Sequence, residues 1–190
     1  MEIGCVIMAS GLGKRFGSNK LLCDFRGKPM IQSILDSTKN IPVRIVVTRH
    51  EVVAALCREQ EIPVLLHSLP LRSDTVRLGL SALLEQVPNL DGCLFAAADQ
   101  PCLKKESIAA LCAAFAKNSS RIYRMSFGGT PGNPVLFPHS CFEQLLHLPE
   151  GKGGNVVIKA HPGLVQLIEA ADPKELIDAD TPETLNELLK

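Results

Sequence analysis

The stretch Ile3-Gly4-Cys5-Val6-Ile7-Met8-Ala9 constrains this chain more than any other part of it. It holds no charged side chain, so neither face of it favours water. A strand on a one-sided sheet would alternate apolar and polar residues, whereas this run is the pattern of a strand buried on both faces, as in a parallel sheet covered by helices. Val43 to Thr48 and Cys93 to Ala98 repeat the pattern, and Pro63 to His67 is a shorter version of it. Between them lie helical periodicities: from near Pro29 to Asn40, Glu51 to Gln60, an N-cap at Ser73 or Asp74 running to Gln86, and Glu106 to Ala116. Later strands are predicted at 122–127 and 134–137 around a Gly- and Pro-rich loop at 128–133. Helices at 140–147 and 156–160, a strand at 164–168 and a terminal helix from Thr181 follow. Such alternation, without linker or repeat, predicts a single three-layer α/β domain over residues 1–190 with a mostly parallel sheet.

Charge and composition exclude several functions. Twenty Lys and Arg balance twenty Asp and Glu, which argues against a nucleic-acid binder. No Trp and one Tyr leave little for a base-stacking surface. The first apolar run is too short to cross a bilayer and no basic segment precedes it, so neither membrane nor export is expected and a cytoplasmic location is. The seven Cys form no C-x-x-C pair and mostly lie in apolar stretches, as small buried thiols do in a reducing compartment. The five His show no zinc-ligand spacing.

In a parallel sheet the ligand crevice lies beyond the carboxyl ends of the strands. Three chemically loaded segments follow predicted strands and should meet there: residues 9–20, 67–77 and 99–101. The first reads Ala9-Ser10-Gly11-Leu12-Gly13-Lys14-Arg15-Phe16-Gly17-Ser18-Asn19-Lys20. Glycines let the backbone approach a bulky anion, and successive N–H groups then face phosphate oxygens, with Arg15 and Lys20 adding charge. It is neither a Walker A loop, since Phe16 stands where the second Gly belongs, nor a dinucleotide fingerprint, since Gly17 falls one residue late. Asp99 ends a strand of small residues, which lets a ligand and hydrated Mg²⁺ come close. Ser73 and Thr75 open a helix whose free N–H groups suit a phosphate or ribose.

This order of parts resembles the MobA-like nucleotidyltransferases, and among them the molybdenum cofactor cytidylyltransferases. The resemblance rests on Met8-Ala9-Ser10-Gly11-x-Gly13-x-Arg15-Phe16-Gly17-x-x-Lys20, Arg72-Ser73-Asp74-Thr75-Val76-Arg77-x-Gly79, Ala98-Asp99-Gln100-Pro101, Gly132-Asn133-Pro134 and Asp178-Ala179-Asp180-Thr181-Pro182-Glu183. It implies a three-layer Rossmann-like nucleotidyltransferase fold and an Mg²⁺-dependent enzyme. By the same resemblance Ala9, Ser10, Gly11, Gly13, Arg15, Lys20, Ser73 and Thr75 bind the nucleotide, and Arg15, Lys20 and Asp99 are catalytic. Asp99 is the metal ligand, with Asp178 and Asp180 completing the site. Gly132, Asn133 and Pro134 stand where the family has its acceptor loop, with Asn in place of the usual His. Residues 148–155 correspond to a further family loop, but its Asp and Arg are replaced by Gly151 and Asn155, leaving Lys152 to supply positive charge.

The resemblance further implies CTP as the nucleotide. Ser10 is near the bulk of the Ala usual in CTP users, and Asp99-Gln100-Pro101 looks like the cytidylyl branch. The expected reaction moves CMP from CTP to the phosphate of a molybdopterin-type cofactor and releases pyrophosphate, with a molybdenum hydroxylase as the cofactor's destination. Three alternatives stay open: guanylyl transfer, another phosphorylated acceptor, and a non-enzymatic cofactor carrier. Net charge hides a local division that suits transfer. Residues 11–28 hold Lys14, Arg15, Lys20, Arg26 and Lys28 against Asp24, and residues 172–187 hold six acidic residues against Lys174.

Overall fold

The computed structural model describes residues 1–11, 13, 16 and 19–190. The strands are β1 (Ile3–Ala9), β2 (Asp24–Phe25), β3 (Lys28–Pro29), β4 (Val43–Thr48), β5 (Val64–Leu66), β6 (Gly92–Ala97), β7 (Ile122–Phe127), β8 (Thr130–Pro138) and β9 (Val165–Glu169). The helices are α1 (Ile31–Ser37), α2 (Glu51–Glu59), α3 (Arg72–Gln86), α4 (Lys105–Lys117), α5 (Phe142–Leu146), α6 (Asn155–Ala160) and α7 (Pro182–Leu189). Among the described residues, seven strands form one sheet in the order β5-β4-β1-β6-β8-β7-β9, and β2 and β3 form a separate ribbon. All pairings in the large sheet are parallel except those of β8, which runs against both β6 and β7. The three-layer α/β fold with a mostly parallel sheet is thus the observed one.

Side-chain alternation along the central strands divides the core in two. Cys5, Ile7 and Ala9 of β1 and Leu94 and Ala96 of β6 point to one face, where α1, α2, α4 and α7 pack through Ile34, Val53, Leu111 and Leu188. Val6, Cys93 and Phe95 point to the other, against Val76, Leu80 and Leu83 of α3, Leu145 of α5 and Val157 of α6. Each such fully buried aliphatic or aromatic side chain contributes on the order of 1.5–3 kcal/mol. Gly79 sets how closely α3 lies on the sheet, because a Cβ there would stand 2.5 Å from Val6 Cγ1. Cys5, Cys57, Cys93 and Cys141 are buried and the other three are partly so. Among the described residues no helix is long and apolar enough to cross a membrane.

Several local expectations are corrected. Pro29 does not open a helix: it ends a ribbon turned by Arg26 and Gly27, both at positive φ (57° and 81°), and α1 starts at Ile31. Neither Ser73 nor Asp74 is the N-cap of α3. That place belongs to Leu71, whose N–H donates to the Asp74 carboxylate at 3.0 Å, so Asp74 caps from inside the first turn. The loop expected at 128–133 shrinks to a tight turn at Gly128 and Gly129, both at positive φ, because Glu169 of the neighbouring strand accepts from both N–H groups and lets pairing begin at Thr130. The terminal helix is capped by Thr181, whose hydroxyl accepts from Thr184 N–H.

Candidate active site

Parallel register brings the strand ends together. Met8 lies opposite Ala97, Ala9 opposite Thr48 and Thr48 opposite Leu66, so the residues that follow these strands share one edge. Because β8 is reversed, its early residues reach that same edge: Val135 pairs with Phe95, which leaves Asn133 beside the end of β6. A cleft of about 580 Å³ opens there, lined among others by Ser10, Gly13, Lys20, Thr75, Asp99 and Asp180. The three loaded segments do meet.

Asp99 follows β6 in a turn and caps no helix, since α4 begins only at Lys105. The tail reaches it through Ala179 N–H, which donates to the Asp99 carbonyl at 2.8 Å and so lays Asp178 and Asp180 beside it. That tail is anchored by Glu175, fully buried at the start of α4, whose carboxylate accepts from Lys104 N–H and the Ser107 hydroxyl. A helix N-terminus suits such a charge. Gly132 makes room for the same strap, because a Cβ there would meet Leu176 Cδ1 at 3.0 Å.

Lys20 sits in a short helical turn, only 6% exposed, and its Nζ lies 2.6 Å from Asp99 Oδ2 and 2.7 Å from Asp180 Oδ1. Burial opposes the charge, but the carboxylates outweigh it and hold the ammonium above its ordinary value. The Asp178 carboxyl is pushed up to about 6, first by burial and then by the neighbouring Asp99 and Asp180 charges. Lys20 thus stands between the Asp99 and Asp180 carboxylates, with the Asp178 carboxyl beside them. Hard oxygen donors in this number fit Mg²⁺. Among the described residues no group of three or more His, Cys, Asp and Glu is arranged to hold a metal alone. Mg²⁺ commonly takes one or two carboxylates and completes its shell from phosphates and water.

The glycine-loop end of the cleft is tied to the strand next door. Arg49 donates to the Ser10 carbonyl through Nε (3.0 Å) and Nη2 (2.6 Å), and to the Pro70 carbonyl through Nη1. The Ser10 hydroxyl has one proton, given to Val47 O at 3.1 Å, so its oxygen accepts from His67 Nε2 at 2.9 Å. Burial and the Arg49 charge push the His67 imidazole down, which keeps it neutral near pH 7 and consistent with that role. His50 Nε2 contacts the Gly11 carbonyl at 2.8 Å.

Of the residues expected to bind nucleotide, Ser10, Gly11, Gly13, Lys20 and Thr75 line the cleft. Ala9 is buried behind it, with its carbonyl taken by the Thr48 hydroxyl. Ser73 turns away, its Oγ accepting from Gly151 N–H. Arg15, expected to be catalytic, lies outside the described residues, as does Lys14. Of the acceptor loop, Asn133 lines the cleft, whereas Gly132 gives its carbonyl to Arg124 Nε and lies behind it with Pro134. Lys152 is on the exposed surface and lines no part of the cleft. Sequence reasoning did not single out Arg49, His50, His67 or Arg124. The first two directly follow β4, so the strand-end rule could have found them; Arg124 sits mid-strand with no motif around it.

A sequence profile for the MobA-like NTP transferase domain matches residues 5–165. A curated 2-C-methyl-D-erythritol 4-phosphate cytidylyltransferase of Acidithiobacillus ferrooxidans is 34% identical over 121 residues, 56% of this chain and 51% of its own. The chain thus spans about half the length of the curated relatives it matches. Among solved structures, Rv0371c from Mycobacterium tuberculosis H37Rv superimposes with a TM-score of 0.83 at 20% identity, covering 100% of this chain and 98% of that one. A nucleotidyl transferase from Methanothermobacter gives 0.81 at 20% identity, covering 98% and 95%. At such identities these structures speak for the fold.

Proposed function

From the premise that this chain belongs to the MobA-like NTP transferase family, we propose that it transfers CMP from CTP to the phosphate of a molybdopterin-type cofactor and releases pyrophosphate. Residues 1–190 act as one transferase unit, in the cytoplasm, and a molybdenum hydroxylase receives the product. The carrying observation is the gathering of Asp99, Asp178, Asp180 and Lys20 at the end of β6, in the same cleft as Gly11 and Gly13.

Nucleotidyl transfer asks the protein for positioning and charge neutralisation more than for covalent help. The acceptor phosphate is already ionised near neutral pH, so no side chain has to serve as its base. Asp99 and Asp180 would hold Mg²⁺, which when bound neutralises the triphosphate and the charge that builds on the departing pyrophosphate. Lys20 is placed to turn from the carboxylates to the α-phosphate oxygens once both have ligands. Arg15, within the glycine loop, serves the leaving pyrophosphate. Ser10, near in bulk to the Ala usual in CTP users, supports CTP over GTP, as does the cytidylyltransferase name of the curated relatives.

That name also favours a second reading, with a polyol phosphate as acceptor. Purified protein with Mg²⁺, CTP or GTP, and either acceptor separates them through pyrophosphate release. Release with CTP and molybdenum cofactor is expected. Release with GTP alone moves the chain to guanylyl transfer, and cofactor binding without release makes it a carrier.

A further inference from the structure

The cleft has an inner lobe that the transfer chemistry leaves unexplained. Behind Asn133 and Asp178 a cavity of about 180 Å³ reaches in among β6, β8, α3, α5 and α6. Val76, Phe95, Val135, Phe137, Leu145 and Ile158 form an apolar wall, and Asn133, Asn155 and Asp178 add polar groups to the lining. Phe95 and Phe137 meet edge to face with centroids 5.9 Å apart, which fixes the wall between them. Two glycines close the other side. A Cβ on Gly154 would stand 2.8 Å from Phe137 Cζ, and one on Gly153 would stand 3.1 Å from Arg72 Nε.

Two arginines complete this mixed lining. Arg72, at the start of α3, lines both the outer cleft and the inner lobe and so marks the mouth between them. Arg124 lines the inner lobe only. Its Nε is spent on the Gly132 carbonyl at 2.7 Å, and among the described residues its Nη groups meet no carboxylate. Burial pushes the guanidinium below its ordinary value. Arg72 likewise makes no hydrogen bond or ion pair among the described residues. Unspent charged donors in a partly enclosed chamber gain from an acceptor that arrives to meet them.

We infer that Arg124 selects the acceptor, binding an oxo or carboxylate group at the far end of its body while Arg72 holds the reacting phosphate at the mouth. This rests on the transfer reaction proposed above. The acceptor class is a phosphomonoester with a flat, ring-like body and one strong hydrogen-bond acceptor remote from the phosphate. An open-chain polyol phosphate lacks a flat body for the wall of Phe95, Phe137 and Leu145 to cover.

The test uses the full chain with molybdopterin as the ring-bodied probe and 2-C-methyl-D-erythritol 4-phosphate as the open-chain one. The protein has no Trp, so pterin fluorescence reports binding with little protein background. Arg124→Gln is expected to weaken pterin binding and raise its KM about tenfold or more. Its KM for CTP should stay within about twofold of the unaltered chain. Arg124→Lys keeps stem and charge, so it folds even if Gln disturbs β7, and it should fall between the two because it lacks the planar fork. CTP binding and the unfolding midpoint serve as folding controls. Unchanged pterin affinity in both variants overturns the inference, as does preference of the unaltered chain for the open-chain probe. Failure of the transferase reading looks different: no pyrophosphate leaves CTP with any acceptor, while the fluorescence titration still reports the Arg124 contact.

Discussion

The two lobes of the cleft treat charge in opposite ways. In the outer lobe Lys20 is clamped by Asp99 and Asp180, and Arg49 is held by the Ser10 and Pro70 carbonyls. In the inner lobe Arg72 makes no such bond among the described residues and Arg124 makes one, to a carbonyl. Paired charges are preorganised and need no ligand to stay in place, which suits the part of a site where charge develops during reaction. Cations with donors to spare gain most from a partner, which suits recognition. The outer lobe is therefore built to stabilise, and the inner lobe to select.

Asp99→Ala is the largest test of this contrast. It removes the proposed metal ligand and half of the Lys20 clamp, and kcat should fall about 10²–10³-fold while KM for the acceptor changes little. Steady-state pyrophosphate release checks it, with circular dichroism as the control for fold; an active variant at ordinary Mg²⁺ would remove Asp99 from the metal site. Lys20→Met should lower kcat about 10²-fold and leave the acid cluster without its ammonium, so the raised Asp178 pKa moves further up. Carboxyl resonances followed by NMR titration report that movement.

Glu175→Gln probes the strap rather than the chemistry. It weakens the contacts to Lys104 N–H and Ser107 and should cost about 1–3 kcal/mol in denaturant unfolding. If the strap positions Asp178 and Asp180, kcat falls while CTP binding without metal does not; equal loss in both would make Glu175 a stability residue alone. The smallest effect is expected for Asp178→Asn. Its carboxyl sits at about 6 in the folded chain against 3.8 as the model-peptide value, so the folded state binds the proton more tightly. Stability from this group is present below the unfolded value and lost as pH rises through about 6. The carboxylate is more than a third exposed, so screening limits the gain in the variant at about pH 7 to under ~1 kcal/mol. Thermal unfolding against pH should show a flatter profile between these two values; an unchanged profile would mean Asp178 is not under charge strain.

Much of the outer lobe could be read from the sequence because its parts follow strands. Unbroken apolar runs such as Ile3 to Ala9 announce central parallel strands, and the residues after such strands must share an edge. That reasoning placed Ser10, Gly11, Thr75 and Asp99 in one cleft from spacing alone. It misplaced Ser73, because whether a first-turn hydroxyl faces the cleft or the Gly151 backbone depends on a loop far along the chain. The resemblance gave positive charge at residues 148–155 to Lys152, which lies exposed and away from the cleft, because nothing local distinguishes a surface lysine from an arginine such as Arg124 that lines a cavity.

By itself, then, the sequence determined the layer architecture, the edge at which chemistry collects and the sign of charge each segment brings, since these follow from hydrophobic period and local composition. Tertiary structure decided the pairings. Lys20 meets Asp180 across 160 positions of chain, Gly151 meets Ser73 across 78, and the reversed strand β8 brings Asn133 to the edge. Contacts of that separation arise only when whole elements pack, because the free energy that holds them comes from burial shared among many residues and leaves no local signature.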